Sequence, residues 1–196
     1  MDIVRLRPEQ VPEAAAVLAR AFQDDPAWSW IVPGAARRAK ALPPLFRLGF
    51  ELIEADLWTT PEPMLGCARW MAPGRPAVRM GPAMKAALST PWWLRGGTSR
   101  FLAYGRAVDN LRRIAVPLPH WYLAGIGVEP GERRRGIGSA LMAPGIEAAE
   151  RDGVPCALLT NSEQNLAFYE AHGFVTMLEG ETPRGGPHAW MMVRQR

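Results

Sequence analysis

The stretch from Trp121 to Gly138 restricts this chain more than any other. An apolar run, Trp121-Tyr122-Leu123-Ala124-Gly125-Ile126-Gly127-Val128, passes through a polar segment, Glu129 to Arg135, into Gly136-Ile137-Gly138-Ser139-Ala140. The spacing predicts a strand, a loop, and then a helix over Gly136–Arg151 that Asp152-Gly153 ends. Cys156-Ala157-Leu158-Leu159-Thr160 follows, nearly all apolar, as expected of a strand covered on both faces. A strand, a helix and another strand in this order argue for a mixed α/β sheet with a crossover in the second half.

The loop itself carries chemistry. The first N–H groups of a helix have no intrahelical acceptor, and the helix dipole concentrates partial positive charge there. Gly136 and Gly138 have no Cβ, so a bulky anion can approach the main chain. Arg133, Arg134 and Arg135 stand beside them as phosphate donors. Together they describe a site for a pyrophosphate. A P-loop needs Lys after its second glycine, but Gly136 is followed by Ile137. A dinucleotide fingerprint fails at Pro130 or at Leu141, depending on which glycine opens it. The plain alternative is a strand-to-helix turn with solvated arginines.

The remaining segments fit the same class. Ile3–Arg7 alternates like a short strand, and Val11–Phe22 repeats at helical spacing until Asp24-Asp25-Pro26 stops it. Arg37–Ile53 reads as a second helix, interrupted by Pro43-Pro44. Leu57–Thr60 and Leu65–Met71 read as a hairpin around Pro61-Glu62-Pro63. Residues 77–118 read as two helical pieces, 82–89 and 92–115. Ser162 opens a helix running to His172, and Gly173 caps its end. Phe174–Leu178 and Ala189–Arg194 read as a closing strand pair.

Bulk properties exclude several classes. The length of 196 residues and a hydrophobic content of 48% suit one folded domain spanning residues 1–196. The net charge of +4 favours an anionic ligand but is too small and dispersed to argue for nucleic acid. Cys67 and Cys156 lie far apart, and His120, His172 and His188 have no metal-ligand spacing, so neither a disulfide framework nor a metal site is expected. Residues 1–8 have no apolar signal core and no run is long enough to span a membrane, so a cytoplasmic location is the default expectation.

Two matched elements give these readings a family. Arg133-x-x-Gly136-x-Gly138 on a strand–loop–helix resembles the acetyl-CoA signature of the Gcn5-related N-acetyltransferase (GNAT) superfamily. Asn165-x-x-Phe168-Tyr169-x-x-x-Gly173-Phe174 stands at that family's spacing after the next strand. Gly138-Ser139-Ala140, Pro144–Arg151, Gly153-Val154-Pro155 and, more loosely, Trp58–Glu62 and the Ala21–Pro26 region resemble the puromycin N-acetyltransferase branch. The close match covers residues 120–196; the first 119 residues match in outline and depart most from that branch.

The resemblance implies a GNAT fold: a mixed, mostly antiparallel sheet of about six or seven strands flanked by helices and splayed around acetyl-CoA. Residues 1–119 would form the acceptor side and 120–196 the acetyl-CoA side. The backbone of Ile126, Gly127 and Val128 would pair with the pantetheine arm, and the Val128 N–H would polarise the thioester carbonyl. Gly125 and Gly127 fit that independently, since glycine inside a strand often marks a bulge or close backbone approach; tight packing against a helix is the other reading. The loop Arg133-Arg134-Arg135-Gly136-Ile137-Gly138-Ser139 would hold the pyrophosphate, and Asn165 and Phe168 would contact the cofactor.

Tyr169 is the candidate general acid. A thiol like that of cysteine titrates near 8.5 and a tyrosine near 10, close enough for proton donation; packing beside Phe168 is its plain alternative. No base is assigned. The family often places a glutamate on the central strand, but residues 121–128 contain no carboxylate. Glu129 lies at the strand's end and His120 at its start. Asp24 and Asp25 could attract a cationic amine, although they also read as turn residues that end a helix. Trp28, Trp30, Trp58 and Trp70 either form an aromatic pocket or pack in the core.

The expected activity is acetyl transfer from acetyl-CoA to a primary amine of a small molecule, with aminonucleoside antibiotics as one acceptor type. The protein would act as a monomer or homodimer, without metal, membrane or nucleic acid. A protein or peptide acceptor, a non-catalytic acyl-CoA-binding module and a nucleotide-binding module remain alternatives.

Overall fold

The structure, a computed structural model, describes residues 1–74, 97–116, 119–182 and 185–195. The sequence-predicted helix 82–89 lies outside these residues, as does the first part of the piece 92–115. Seven strands form one sheet: β1 (Val4–Arg5), β2 (Asp56–Thr59), β3 (Gly66–Met71), β4 (Trp121–Val128), β5 (Cys156–Thr160), β6 (Val175–Glu181) and β7 (His188–Arg194). Their order is β1-β2-β3-β4-β5-β7-β6. Every neighbouring pair is antiparallel except β4 and β5, which run parallel and are joined by a helical crossover. This is the mixed, mostly antiparallel sheet expected of a GNAT fold.

Six α-helices cover the sheet among the described residues: α1 (Val11–Ala21), α2 (Pro26–Ile31), α3 (Ala35–Leu52), α4 (Thr98–Ala115), α5 (Ile137–Asp152) and α6 (Leu166–Glu170). Alternation on the central strands assigns the faces. On β5, Cys156 and Leu158 enter the core that α5 and α6 close, whereas Ala157 enters the core beneath α4. On β3, Ala68 and Trp70 face α5, and Cys67 faces α1. Both sides of β5 are dry, which is why its sequence carries no polar alternation.

Three local signals were misleading or incomplete. Asp24-Asp25-Pro26 ends α1, but it also starts α2: Asp25 is the N-cap, its side chain accepting the Trp28 N–H, and Pro26 takes the first turn. Pro43 and Pro44 sit inside a continuous α3 rather than interrupting it. The buried face of that helix (Ala41, Leu42, Phe46) holds it in place despite the missing N–H groups. Ser162 provides no side-chain cap; a 3₁₀ turn, Glu163–Asn165, precedes the short α6 instead. Gly173, at φ +82°, lies in the left-handed region just past that helix.

Trp70 fixes α5 against the sheet. It is fully buried, and a Cβ placed on Gly145 would lie only 2.0 Å from its indole ring. Pro144, one residue earlier, lacks the N–H that would bond the Ala140 carbonyl. The Pro144-Gly145 pair therefore gives α5 a local notch that the indole fills.

Candidate active site

Strands β4 and β5 separate partway along their length. They pair only over Trp121–Leu123 and Cys156–Leu158, although β4 continues to Val128. On its other side β4 remains bonded to β3 throughout, with Arg69 opposite Gly125 and Gly66 opposite Val128. The register shifts between Arg69 and Trp70, so Ala124 is the extra residue of a bulge. A bulge bends its strand and increases local twist, and here it stands where the two strands part.

Ladder geometry shows which main-chain groups the gap receives. The Glu129 N–H donates to the Leu65 carbonyl at 2.8 Å. Alternate residues of an antiparallel strand point their N–H and C=O the same way, so Gly127 also turns toward β3. Ile126 and Val128 turn toward the gap. Gly127 has a different constraint: a Cβ there would lie 2.8 Å from Leu18 Cδ2 and 2.9 Å from the Ala21 Cβ, both on α1. Its missing side chain lets α1 lie flat on β4.

The gap leads to the start of α5. Gly136 is the N-cap at φ +80°, with no side chain capping the helix. The first helical bond is Ala140 N–H to the Gly136 carbonyl, 3.0 Å. The N–H groups of Ile137, Gly138 and Ser139 precede it, and these are the donors a helix leaves over. The Ile137 side chain is buried in the core, so only its main chain can serve a ligand.

The two glycines answer to different demands. Gly136 needs a left-handed backbone and has open space around it. At Gly138 a Cβ would lie 3.2 Å from Phe168 Cζ, so the ring of α6 closes over the helix start.

The three arginines of the loop are all exposed and are used unequally. Arg133 donates to the Ala21 carbonyl at the end of α1, 3.0 Å. Arg135 pairs with Glu132. Arg134 adopts φ +63°, unusual for a residue with a side chain, and has no ion pair among the described residues. Glu129 is held by Arg20 of α1. Asn165 is exposed beside α6, and Phe168 packs edge-on against Tyr169 at 5.2 Å between ring centres.

A polar cluster that no single stretch of sequence announces draws on α4, α6, β4 and the end of β5. Tyr169 of α6 is buried, and burial, followed by the charges of Asp25 and Tyr122, pushes its hydroxyl above the ordinary phenol range. Tyr104 of α4 hydrogen-bonds the side chain of Asn161, just beyond β5, and Asn161 Nδ2 donates to the His188 carbonyl at 2.7 Å. Burial, then Tyr122 and Asp25, also raise Tyr104. Tyr122 of β4 is pushed up to about 12, chiefly by burial, with the Arg112 guanidinium 4.9 Å from its ring centre. The Asp25 carboxyl is itself raised by burial, against the N–H bonds it accepts from Trp28 and Ala27.

Tyr104, Tyr122 and Asn161 were missed in the sequence. Tyr122 lies on the α4 face of β4, and nothing local in the sequence shows that Tyr104 and Asn161 meet each other.

The other candidates are engaged elsewhere. His120 is buried at the start of β4, where β4 and β5 are still paired, away from the gap. Trp70 is core, and Trp58 lies beneath the Arg5 guanidinium at 4.0 Å. Trp28 packs against Phe46 and Phe101, and Trp30 beside Arg100. Only Trp28 and Trp30 belong to the helix that Asp25 caps. Cys67 and Cys156 are free and buried, with their thiols pushed up to about 12 and about 11 by burial, so neither provides a thiolate nucleophile.

Across 98% of this chain and 94% of the other, the fold matches a structure described as histone acetyltransferase HPA2 and related acetyltransferase from Corynebacterium glutamicum, at TM-score 0.67 and 21% identity. The ribosomal-protein-S18-alanine N-acetyltransferase of Escherichia coli matches at TM-score 0.54 and 18% identity, over 98% of this chain and 92% of that one. The polyamine N-acetyltransferase of Drosophila melanogaster, which forms N-acetylagmatine, matches over the whole of both chains at TM-score 0.56 and 17% identity. At such identities the likeness concerns the fold. The sequence profile of the Acetyltransferase (GNAT) family matches residues 58–174, more than half of the 196, and includes β4, the loop, α5 and Tyr169. This chain belongs to the GNAT acetyltransferase family.

Proposed function

We propose that this protein transfers an acetyl group from acetyl-CoA directly to a primary amine of a small molecule, with both substrates bound together. The observation that carries the reading is the β5-facing edge of β4, left unpaired beyond Leu123, which ends beside the leftover N–H groups of α5. An extended amide chain such as pantetheine fits a strand edge by adding to it. A diphosphate fits a helix start.

In this assignment Ile126 and Val128 bond the pantetheine arm, with the Val128 N–H donating to the thioester oxygen as charge develops there. Ile137, Gly138 and Ser139 hold the diphosphate through their N–H groups, with Arg134 reaching it from the left-handed turn. Arg133 and Arg135 shape the loop through Ala21 and Glu132. Phe168 and Asn165 cover the cofactor from α6. Gly127 contributes by letting α1 approach.

Tyr169 delivers a proton to the departing sulfur. Burial keeps its hydroxyl protonated at neutral pH, so the donor form is always present. The same burial widens the gap between phenol and thiol, so donation needs a loss of negative charge nearby. Tyr169→Phe should lower turnover at saturating acetyl-CoA about 100-fold, the low end for a general acid, without changing acetyl-CoA affinity. An unchanged rate removes the role.

The acceptor is read as a small amine because residues 120–196 resemble the puromycin branch, so aminonucleosides head the panel. Agmatine joins it because the Drosophila relative forms N-acetylagmatine. Calorimetry with acetyl-CoA and free CoA, followed by CoA release with each amine, tests the whole reading. Binding without release for any amine or peptide would leave an acyl-CoA-binding module; no binding of either carrier would end the proposal.

A further inference from the structure

Asp25 and its neighbour Asp24 are used in the opposite way from what burial leads one to expect. Asp24 is exposed, yet lies 3.8 Å from the Arg38 guanidinium. Asp25 is the more buried of the two, yet no arginine, lysine or histidine among the described residues pairs with it. The cations nearest to its turn are committed elsewhere. Arg38 of α3 donates to the Gln23 and Val32 carbonyls at 2.6 and 3.2 Å. Arg100 of α4 donates to the Trp30 carbonyl at 2.9 Å. A desolvated carboxylate without a counter-charge is costly, and folded proteins rarely retain one.

Its position is fixed by two hydrogen bonds, whose partners pack against β4 and α4. The Asp25 N–H donates to the Phe22 carbonyl at 3.2 Å, and the Phe22 ring lies 3.5 Å from where a Gly127 Cβ would be. Asp25 Oδ1 accepts the Trp28 N–H at 3.1 Å, and the Trp28 ring meets Phe101 of α4 at 6.0 Å between centres. One turn further along α4, Tyr104 bonds Asn161 at the end of β5. The α1–α2 turn thus lies beside the unpaired part of β4 and against α4, which reaches the end of β5 through Tyr104. Tyr104 and Tyr169 both sense the Asp25 charge, which agrees with this placement.

We infer that Asp25 is the missing base of the reaction, binding the ammonium group of a cationic amine between Tyr104 and Tyr169 and taking one of its protons. The inference rests on the acetyltransferase reading above and names its acceptor class: amines that arrive protonated.

The protons balance. The ammonium gives one proton to Asp25, and the freed nitrogen forms a bond to the acetyl carbon. The C–S bond breaks with its electron pair on sulfur, which takes the Tyr169 proton. The second nitrogen proton returns to Tyr169 through water, and Asp25 releases its proton to solvent. Amide, free thiol and one proton are the products.

Asp25 and Tyr169 also assist each other. After burial, the Asp25 charge is the next cause raising Tyr169. Once Asp25 is protonated that contribution disappears, and Tyr169 becomes a better donor at the moment sulfur leaves.

The test is Asp25→Asn, since Asn caps a helix about as well as Asp and differs little in size. It should lower kcat/KM for the best amine of the panel at least 100-fold, while acetyl-CoA affinity by calorimetry and the melting transition stay intact. The alkaline shift needed to recover its rate should be at least one pH unit, because a free amine no longer needs the carboxylate. A variant within threefold of wild type at pH 7, or equal losses for cationic and uncharged amines, overturns the role of Asp25 and leaves the acetyltransferase reading standing. If wild type binds acetyl-CoA and acetylates no amine, both readings fall together.

Discussion

The two sides of the β4–β5 gap are built from different materials. In the assignment proposed above, the carrier side is main chain: the Ile126 and Val128 peptide groups, the first N–H groups of α5, and glycines that clear the approach. It comes from one continuous stretch, residues 124–139. The acceptor side proposed here is side chains: Asp25 from the α1–α2 turn, Tyr104 from α4, Tyr122 from β4 and Asn161 from beyond β5. A main-chain site has little side-chain identity to lose and is damaged by adding atoms. A side-chain site is damaged by removing them.

That contrast gives an ordered set of expectations. The largest effect belongs to Gly145→Ala. Its new Cβ would stand 2.0 Å from a Trp70 ring that has no exposed surface and nowhere to retreat. Overpacking of this kind costs about 3 kcal/mol, a fall of about 6–12 °C in Tm for a chain of this size, to be read by thermal unfolding. A wild-type Tm would show that α5 is free to move away from the sheet, and the carrier side would not be the rigid partner.

The next effect separates the arginines. Arg134→Ala should weaken acetyl-CoA binding about three- to tenfold, as expected for an exposed charge on a phosphate. The loss should shrink in high salt. Arg135→Ala should do less, since Arg135 is tied to Glu132. Calorimetry at two salt concentrations reads both. Equal losses would mean that the Glu132 pair opens on binding and that the loop is less preformed than the main chain around it.

The same contrast explains what the sequence discloses. The strand, loop and helix of residues 121–152 are legible because their constraints are local: apolar runs of different period, a polar arginine loop between them, Gly153 at the helix end. The reason for Gly138 was not, because its neighbour Phe168 is thirty residues away in the chain. The short helix α2 was hidden because Asp-Pro stops one helix and caps the next by the same physics. The sequence leaves Asp24 and Asp25 equivalent, each either a partner for a cationic amine or a turn residue, and only the structure separates them by putting Arg38 on Asp24. Tyr104 and Asn161 meet only because α4 and the end of β5 converge over the gap.

The smallest expected effect makes the two sides distinguishable without any substrate. Burial raises the Asp25 carboxyl above its unfolded value. In the window between those two values the folded protein therefore binds more protons than the unfolded chain, and stability falls as pH rises through it. Asparagine does not titrate. Asp25→Asn should then be at least as stable as wild type at pH 7, with the difference closing as the pH is lowered through the unfolded aspartate range near 3.9. Denaturant titrations across that range measure it. A variant less stable than wild type at pH 7, with no closing at low pH, would mean that the carboxylate already has its counter-charge within the protein. A carboxylate that costs the empty fold stability, yet is needed for turnover, is one held in readiness for a cation that the amine supplies.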